Sequence, residues 1–336
     1  MLAKSARQLP SAFQQLHQAR RWLASTAAAH NPRQRRAAQP SFGNYQRIVP
    51  TTLVPRKPAP KEPSPLLVPR RILRPSYART GEPPSWPTET PILAAAEIPL
   101  LREASRIARD ALALGGRLVA PGMTTAEIDR RVHQFIVSQD AYPSCLNYMG
   151  FPRSICTSVN NIIAHGIPDA RPLIDGDMVN LDVTVFKDGF HGDNSAMFAV
   201  GQVDQAGEKL MRVTREALAL AIELCGPGVP LRCIGDAIAT CAVEAGLGVS
   251  EELTGHGVGR CFHQNPLVYH HFNEEPGVML PGMAFTVEPI LCQGSARGVM
   301  WPDGWTVATE DGGRSAQYEH TLLITQDGVE VMTAPR

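Results

Sequence analysis

Four acidic residues stand out because their positions repeat along the chain. Asp182 and Asp193 lie in the stretch VNLDVTVFKDGFHGDNSAMF, whose alternating pattern predicts two strands around a Lys-Asp-Gly turn. An offset of 106 residues carries Asp182 onto a second acid, Glu288, and Glu319 stands in a segment that resembles the one around Asp193. Carboxylates that converge in a protein interior repel one another unless cations neutralise them. The repeated acids therefore predict a cation site.

An imidazole completes the set of candidate ligands. His256 lies between glycines in the sequence TGHGVG, where the backbone can approach a ligand closely. Four carboxylates and one imidazole can hold two divalent ions, and ligands of this type suit Mn, Fe, Co or Zn. Two ions about 3.5–4 Å apart can share a water, lower its pKa and stabilise the transition state of a hydrolysis. Taken singly, each acid fits a solvated or salt-bridged strand, and Asp193 fits a turn; the symmetric set favours a two-metal hydrolytic site.

The elements that must position these residues are themselves duplicated. The sequence ALAL at 111–114 recurs at 217–220, and the Pro-Gly pair at 121–122 recurs at 227–228. Each copy has the pattern helix, Pro-Gly turn, helix and strands, and TTAE at 124–127 is a capping-box pattern. Chance similarity between Ala/Leu-rich helices would explain the helices alone, whereas the matching acidic strands favour a true repeat. We expect two hairpins, each with an acid on both arms, to face each other across a pseudo-twofold axis.

The charge of the chain is unevenly distributed. Residues 1–80 hold fifteen Lys and Arg but only one acid, Glu62, and residues 1–40 contain no acid. This Arg-rich, Ala-rich composition predicts a basic transit peptide over residues 1–40, for the mitochondrion or, alternatively, the plastid. A nucleic-acid-binding arm is the rival interpretation, but the segment has only two aromatic residues, Phe13 and Trp22, among its basic residues, so we expect no nucleic-acid partner. No apolar run approaches the ~20 residues that a membrane span needs.

The sequence divides further after the basic segment. Residues 40–90 hold twelve prolines, which exclude a helix or a central strand and predict an extended linker over residues 41–90. Residues 91–336 would then form the catalytic domain. The seven cysteines contain no C-x-x-C pair, so neither a zinc finger nor a disulfide framework is indicated.

Three dense blocks of sequence resemble a known family. They are SICTSVN at 154–160 with HGIP at 165–168, GFHGD at 189–193, and GHGVG at 255–259 with the Phe-His pair at 262–263. With these blocks the chain resembles the type I methionine aminopeptidases over about residues 97–334. The resemblance implies the creatinase-like "pita-bread" fold, which is α+β. Two pseudo-symmetric helix-helix-hairpin halves would form a curved, mainly antiparallel sheet backed by helices.

The resemblance also implies an activity, the removal of the initiator methionine from nascent peptides with a small second residue. The residue at Asp182 would hold one metal, Asp193 and Glu319 would bridge both, and His256 and Glu288 would complete the other. A hydroxide held by the two metals would attack the first peptide bond. Glu288 would accept its proton.

Further roles follow from the same resemblance. His263 would contact the substrate carbonyl or the developing oxyanion, and His165 would help the leaving amine depart. A monovalent cation would bind near Asn160, Ile162 and Ser315. The methionine pocket would be lined by Cys145, Tyr148, Phe151, Cys156, His165, Phe262, His263 and Trp305. Phe151 stands where bacterial members usually have tyrosine.

Other features resemble the organellar branch of the family. His256 and Glu288 are only 32 residues apart, which leaves no room for the large helical insertion of type II enzymes, and the sequence at 66–77 is similar to that of organellar members. The implied partners are nascent peptide N-termini and the organellar ribosome, with the protein a monomer. Two alternatives remain open: a prolidase or Xaa-Pro aminopeptidase of the same fold, and a non-catalytic binding protein built on it.

Overall fold

A computed structural model of the chain describes residues 42–50, 66–87 and 89–335. The predicted transit peptide, residues 1–40, lies outside the described residues, as do residues 51–65 of the predicted linker. The described residues form one compact unit. No helix within the described residues is both long enough and apolar enough to span a membrane.

The first half of the repeat begins with two helices. Helix α1 spans Ile98–Leu118 and helix α2 spans Thr125–Ser138. Thr124 is the N-cap of α2, and its side-chain oxygen accepts a hydrogen bond of 3.2 Å from the Glu127 amide. This bond satisfies an amide that the helix itself leaves without a partner, which explains why the helix starts here.

The second half repeats this arrangement. Helix α3 spans Gln205–Glu223 and begins at Asp204, whose carboxylate accepts a hydrogen bond from the Gly207 amide. Helix α4 spans Arg232–Ala245 and ends at Gly246, whose φ of 71° lies in the left-handed region that glycine adopts without strain. Both halves therefore contain the helix pair that the repeat predicts.

Most of the strands belong to one large, mainly antiparallel sheet. The strands of the described residues are β1 Tyr142–Pro143, β2 Cys156–Val159, β3 Ile162–Ala164, β4 Met178–Lys187, β5 Phe190–Ala199, β6 Gly248–Val249, β7 Gly255–Gly257, β8 Gln264–Val268, β9 Ala284–Val287, β10 Ile290–Cys292, β11 Gly298–Met300, β12 Val307–Thr309, β13 Ser315–Gln317, β14 Glu319–Ile324 and β15 Val329–Val331. The large sheet has the strand order β1-β4-β5-β14-β9-β7-β8, with β15 paired to β14 and β2 paired to β4. Two three-stranded sheets have the orders β13-β10-β6 and β11-β12-β3.

Strands β4 and β5 form the predicted hairpin. The two residues between them, Asp188 and Gly189, have φ values of 47° and 92°. Positive φ at both turn positions is the signature of a type I′ turn, whose twist matches that of the flanking strands. The register places Asp193 opposite Thr184 and Asp182 opposite Ser195, so the two aspartates are close diagonal neighbours.

The second pair of acidic strands, β9 and β14, is also antiparallel. The two pairs meet through β5 and β14, where Glu319 lies opposite Ser195. They therefore lie side by side in one continuous sheet instead of facing each other as two layers. This arrangement brings the acids of both halves onto neighbouring strands of a single surface.

Alternation along the strands separates core from site. On β4 the odd-numbered residues from Val179 to Val185 pack against α1 and α2, and on β9 Phe285 and Val287 pack against α3 and α4. Side chains two residues apart share a face of a strand. Asp182 and Glu288 occupy the other face of their strands and therefore point away from these helix pairs.

Parts of the Pro-rich region pack on the domain. Ile72 and Tyr77 are buried, and the Tyr77 hydroxyl donates a 2.7 Å hydrogen bond to the Ser144 carbonyl. The start of residues 42–50 lies against the second half, where the Arg314 guanidinium donates to the Phe42 carbonyl at 2.8 Å. Further along, the Ile48 amide donates to Asn161 Oδ1 of the first half at 2.6 Å. The described parts of this region are thus held by specific contacts.

Candidate active site

The five predicted metal ligands converge in one pocket. Two come from the β4–β5 hairpin, one from β14, one from the end of β9 and one from β7. All five side chains line the same cavity, which has a volume of about 520 Å³. The ligands are Asp182, Asp193, Glu319, Glu288 and His256.

Three of the predicted ligands, Asp193, His256 and Glu319, lie close together. One donor atom from each lies within 4.8 Å of the others, and all three residues are buried. His256 Nε2 is 3.9 Å from Asp193 Oδ2 and 3.5 Å from Glu288 Oε1. His256 Nε2 therefore lies near two carboxylate oxygens without a hydrogen bond to either. Ligands arranged around a bound ion have such separations.

Burial and mutual repulsion control the ionisation of this cluster. Burial raises the pKa of Asp193 to about 6. Burial and the neighbouring Asp193 charge raise the pKa values of Asp182 and Glu319 well above their ordinary range, and the pKa of Glu288 rises for the same reasons. Burial lowers the pKa of His256 to about 4, so its ring is neutral near pH 7 and free to donate a lone pair.

The donor set fits divalent metal ions. Within residues 42–50, 66–87 and 89–335, no Lys or Arg forms an ion pair with these carboxylates, and His256, which lies within 4 Å of two of them, is neutral near pH 7. Buried carboxylates without a cationic partner are costly, and bound cations remove that cost. Four carboxylates and one neutral imidazole match the preferences of Mn, Fe, Co or Zn.

Several residues that orient the ligands escaped the sequence analysis. Thr184 Oγ1 donates a 2.6 Å hydrogen bond to Asp193 Oδ1, and Thr286 Oγ1 donates a 2.7 Å bond to Glu288 Oε1. Gln317 Nε2 donates to the other oxygen of Glu288 at 3.1 Å. Such partners fix the carboxylate orientation that a metal requires. Period-two alternation places Thr286 on the face of Glu288 and likewise places Thr184 on the face of Asp182, but it does not indicate the hydrogen bonds that these threonines donate.

The two predicted catalytic histidines also line the pocket. His263 Nδ1 lies 2.8 Å from the Tyr148 hydroxyl, and its ring centroid lies 4.2 Å from that of His256. Burial and the neighbouring His256 hold the pKa of His263 well below its ordinary value. His165 has a φ of 57°, and burial lowers its pKa as well. Both rings are therefore neutral near pH 7.

A compact aromatic and sulfur cluster adjoins the ligands. Phe151 meets Trp305 edge to face with ring centroids 5.1 Å apart, and Tyr148 lies against Phe262 at 4.8 Å. Tyr77, from the Pro-rich region, packs edge-on against Tyr148 at 4.9 Å and was missed by the sequence analysis. The residues predicted for the methionine pocket all line the cavity: Cys145, Tyr148, Phe151, Cys156, His165, Phe262, His263 and Trp305.

The residues predicted to bind a monovalent cation lie together away from this cavity. The Ser315 amide donates to the Asn160 carbonyl at 2.9 Å, and the Ser315 hydroxyl donates to the Ile162 carbonyl at 2.8 Å. Asn160 has a φ of 53°. Two of the predicted carbonyl ligands thus accept hydrogen bonds from the third residue, and the cation remains a prediction.

Comparison with known proteins identifies the class of enzyme. A family model described as metallopeptidase family M24 matches residues 99–326. The chain therefore belongs to the M24 metallopeptidases, and the pita-bread fold expected from the sequence is confirmed.

Similar proteins narrow the class further. The chain is 48% identical over 266 residues to methionine aminopeptidase 1D, mitochondrial, of Mus musculus, which covers 79% of each chain. It is 45% identical over 291 residues to methionine aminopeptidase 1D, chloroplastic/mitochondrial, of Arabidopsis thaliana, covering 87% of this chain and 81% of that one. The crystal structure of methionine aminopeptidase from Rickettsia prowazekii superposes with a TM-score of 0.72 at 41% identity, covering 73% of this chain and all of the other. The resemblance to methionine aminopeptidases is confirmed.

Proposed function

We propose that this chain is a metal-dependent aminopeptidase that removes the N-terminal methionine from peptides with a small second residue. One observation carries the proposal: a buried aromatic and sulfur pocket opens directly onto the acid and histidine cluster. An unbranched thioether is well matched by aromatic and sulfur surfaces. The methionine side chain would fill this pocket, with its first peptide bond beside the cluster.

Asp182, Asp193, His256, Glu288 and Glu319 would hold two divalent ions. When bound, the ions would polarise the scissile carbonyl, lower the pKa of a water and bind the free α-amine. A requirement for a free α-amine explains cleavage from the end of a peptide.

The chain's own residues would handle protons and orientation. Glu288 is held by hydrogen bonds on both oxygens and is the candidate to accept a proton from the attacking water. If the Tyr148 hydroxyl donates to His263 Nδ1, then Nε2 of that ring carries the proton and can donate to the oxyanion. His165, on the same cavity, would donate to or orient the departing nitrogen.

The test is peptidase activity of the purified chain loaded with Mn²⁺ or Co²⁺. We expect cleavage of Met-Ala-Ser and not of Ala-Pro peptides, and we expect Asp193→Asn to lose activity. Asp140→Asn, an exposed acid on the loop after α2, is the matched control and should remain active. Faster turnover of Ala-Pro would favour a prolidase. If the wild type shows no peptidase activity with any of these metals, or if Asp193→Asn is fully active, the catalytic proposal is wrong.

We further propose that the enzyme acts in an organelle, with the mitochondrion first and the plastid as the alternative. The support is the acid-free basic segment at residues 1–40 together with the organellar names of the two relatives. Its substrates would then be deformylated peptides emerging from the organellar ribosome. A fusion of residues 1–45 to a fluorescent protein should enter mitochondria or plastids, and a cytosolic or nuclear signal would contradict this.

A further inference from the structure

The mouth of the active-site cavity is built partly by the segment that precedes the catalytic domain. Beyond the predicted ligands and methionine pocket, the lining includes Pro83, Pro84 and Trp86 from this segment and Met149 from the domain. None of these four residues has a role in the chemistry proposed above. They extend the cavity outward from the cluster towards solvent.

This segment is fixed at both ends. At its start, the Gly81 amide donates to the Tyr77 carbonyl at 2.8 Å, and Asn147 Nδ2 donates to the Ala78 carbonyl at 3.2 Å. At its end, the Pro87 carbonyl accepts a 3.0 Å hydrogen bond from Asn265 Nδ2. The segment therefore runs from the first half of the domain to the second across the cavity mouth. Its three prolines restrict the backbone further. The wall of the cavity mouth, formed by Pro83, Pro84, Trp86 and Met149, is therefore largely ordered before a substrate binds.

The chemistry of the wall is apolar and exposed. Trp86 is 44% exposed and Met149 is 63% exposed. A contiguous apolar surface that continues a cavity indicates a binding site more strongly than scattered exposed residues do. A tryptophan beside prolines and a methionine presents a flat, adaptable surface for an aliphatic or aromatic side chain.

The position of the wall identifies its occupant. The methionine pocket is buried, so the remainder of a bound peptide has to leave through the mouth. We propose that Pro83, Pro84, Trp86 and Met149 form a binding subsite for an apolar side chain at the third or fourth position of the substrate. This proposal rests on the proposed aminopeptidase function. It assigns to the pre-domain segment a part in selecting among nascent peptides.

Two pentapeptides and a dipeptide test the subsite. Met-Ala-Leu-Leu-Lys and Met-Ala-Ser-Ser-Lys differ only at the positions in question, and Met-Ala is too short to reach the wall. For the wild type we expect kcat/KM to favour the apolar pentapeptide by roughly three- to tenfold, as expected for about 1 kcal/mol of contact energy. Trp86→Ala and Met149→Ala should reduce this preference by raising KM for the apolar peptide, with kcat and the rate on Met-Ala unchanged.

The matched control is Leu67→Ala, which truncates an exposed apolar residue of the same pre-domain region outside the cavity. It should leave the preference intact. If the wild type cleaves Met-Ala but treats both pentapeptides alike, or if Trp86→Ala keeps the full preference, the subsite is refuted and the proposed function stands. If the wild type cleaves no Met-peptide under any metal, the proposed function fails and the subsite fails with it.

Discussion

Replacing Arg314 with methionine should destabilise the domain by about 3 kcal/mol. The guanidinium is completely buried and donates to the Asp204 carboxylate at 2.6 Å, to the Phe42 carbonyl at 2.8 Å and to Gln293 Oε1 at 3.1 Å. It also lies over the Tyr45 ring, with its carbon 4.8 Å from the centroid. One side chain thus ties residues 42–50 and the start of α3 to the loop before β13.

The magnitude follows from these contacts. The charge-assisted bond to Asp204 contributes about 1.5–3 kcal/mol and each of the other two bonds about 1 kcal/mol. Two features reduce the loss. Asp204 is 26% exposed and keeps the amides of Asn44 and Gly207 as donors. In addition, Arg314 Nη1 has no hydrogen-bond partner among the described residues, so removing it relieves an existing penalty. The net loss is therefore about 3 kcal/mol, which corresponds to a Tm about 5 °C lower for a domain of this size, because the unfolding entropy is about 2.1 cal/mol/K per residue.

Urea and thermal unfolding of metal-saturated protein would measure this effect. Arg212→Met is the matched control, because Arg212 lies on α3 with a 54% exposed side chain and forms an i,i+4 pair with Glu216. Exposed pairs of this kind contribute about 0.5 kcal/mol or less. If the free energies of unfolding of Arg314→Met and Arg212→Met differ by less than about 0.5 kcal/mol, the contacts of Arg314 do not stabilise the domain as argued.

Three further predictions concern the site and its supports. Loading metal at pH 6 should release protons, because burial raises the pKa of Asp193 to about 6 and raises those of Asp182, Glu288 and Glu319 well above their ordinary range, whereas metals bind the deprotonated forms. The apparent metal affinity should therefore rise with pH, and binding enthalpies that do not depend on the ionisation enthalpy of the buffer would contradict this. Thr184→Val removes the hydrogen bond that orients Asp193 and should weaken metal binding roughly tenfold, as measured by competition with a chelator. An unchanged metal affinity would show that Thr184 does not orient a metal ligand. Gly192→Ala should lower the free energy of unfolding by more than ~3 kcal/mol, because the added Cβ would lie 2.4 Å from the Ser105 amide nitrogen of α1. A soluble variant with the wild-type Tm would refute this close packing of β5 against α1.

Much of the fold and site followed from the sequence because both rest on local patterns. The hairpin turn at Asp188 and Gly189 and the helix start at Thr124 depend on residues a few positions apart. The convergence of the acids follows from an internal repeat, which can be recognised within this single sequence. Once the repeat is recognised, strand alternation alone predicts which residues share the site face.

The rest depends on contacts between distant residues of ordinary composition. Prolines in residues 66–87 indicate only that helix and central strand are excluded, and they carry no information about packing. Tyr77 reaches the Ser144 carbonyl, 67 positions away, and Arg314 reaches Phe42, 272 positions away. No periodicity marks either pair. The contacts of Arg314 and the apolar lining of the cavity mouth can therefore be recognised only in the three-dimensional structure.

The register of β4 couples stability to catalysis. Leu181 packs under the helices of the first half, whereas Asp182 and Thr184 lie on the opposite face of the strand, with the ligand cluster. A slip of one residue against β5 would exchange the two faces of the strand. Such a slip would bury the acid against the apolar helices and expose the leucine, so burial of the core opposes it strongly. The same hydrophobic contacts that fold each half therefore also hold its acids in the predicted ligand positions, and the duplication of this unit brings four acids onto one surface.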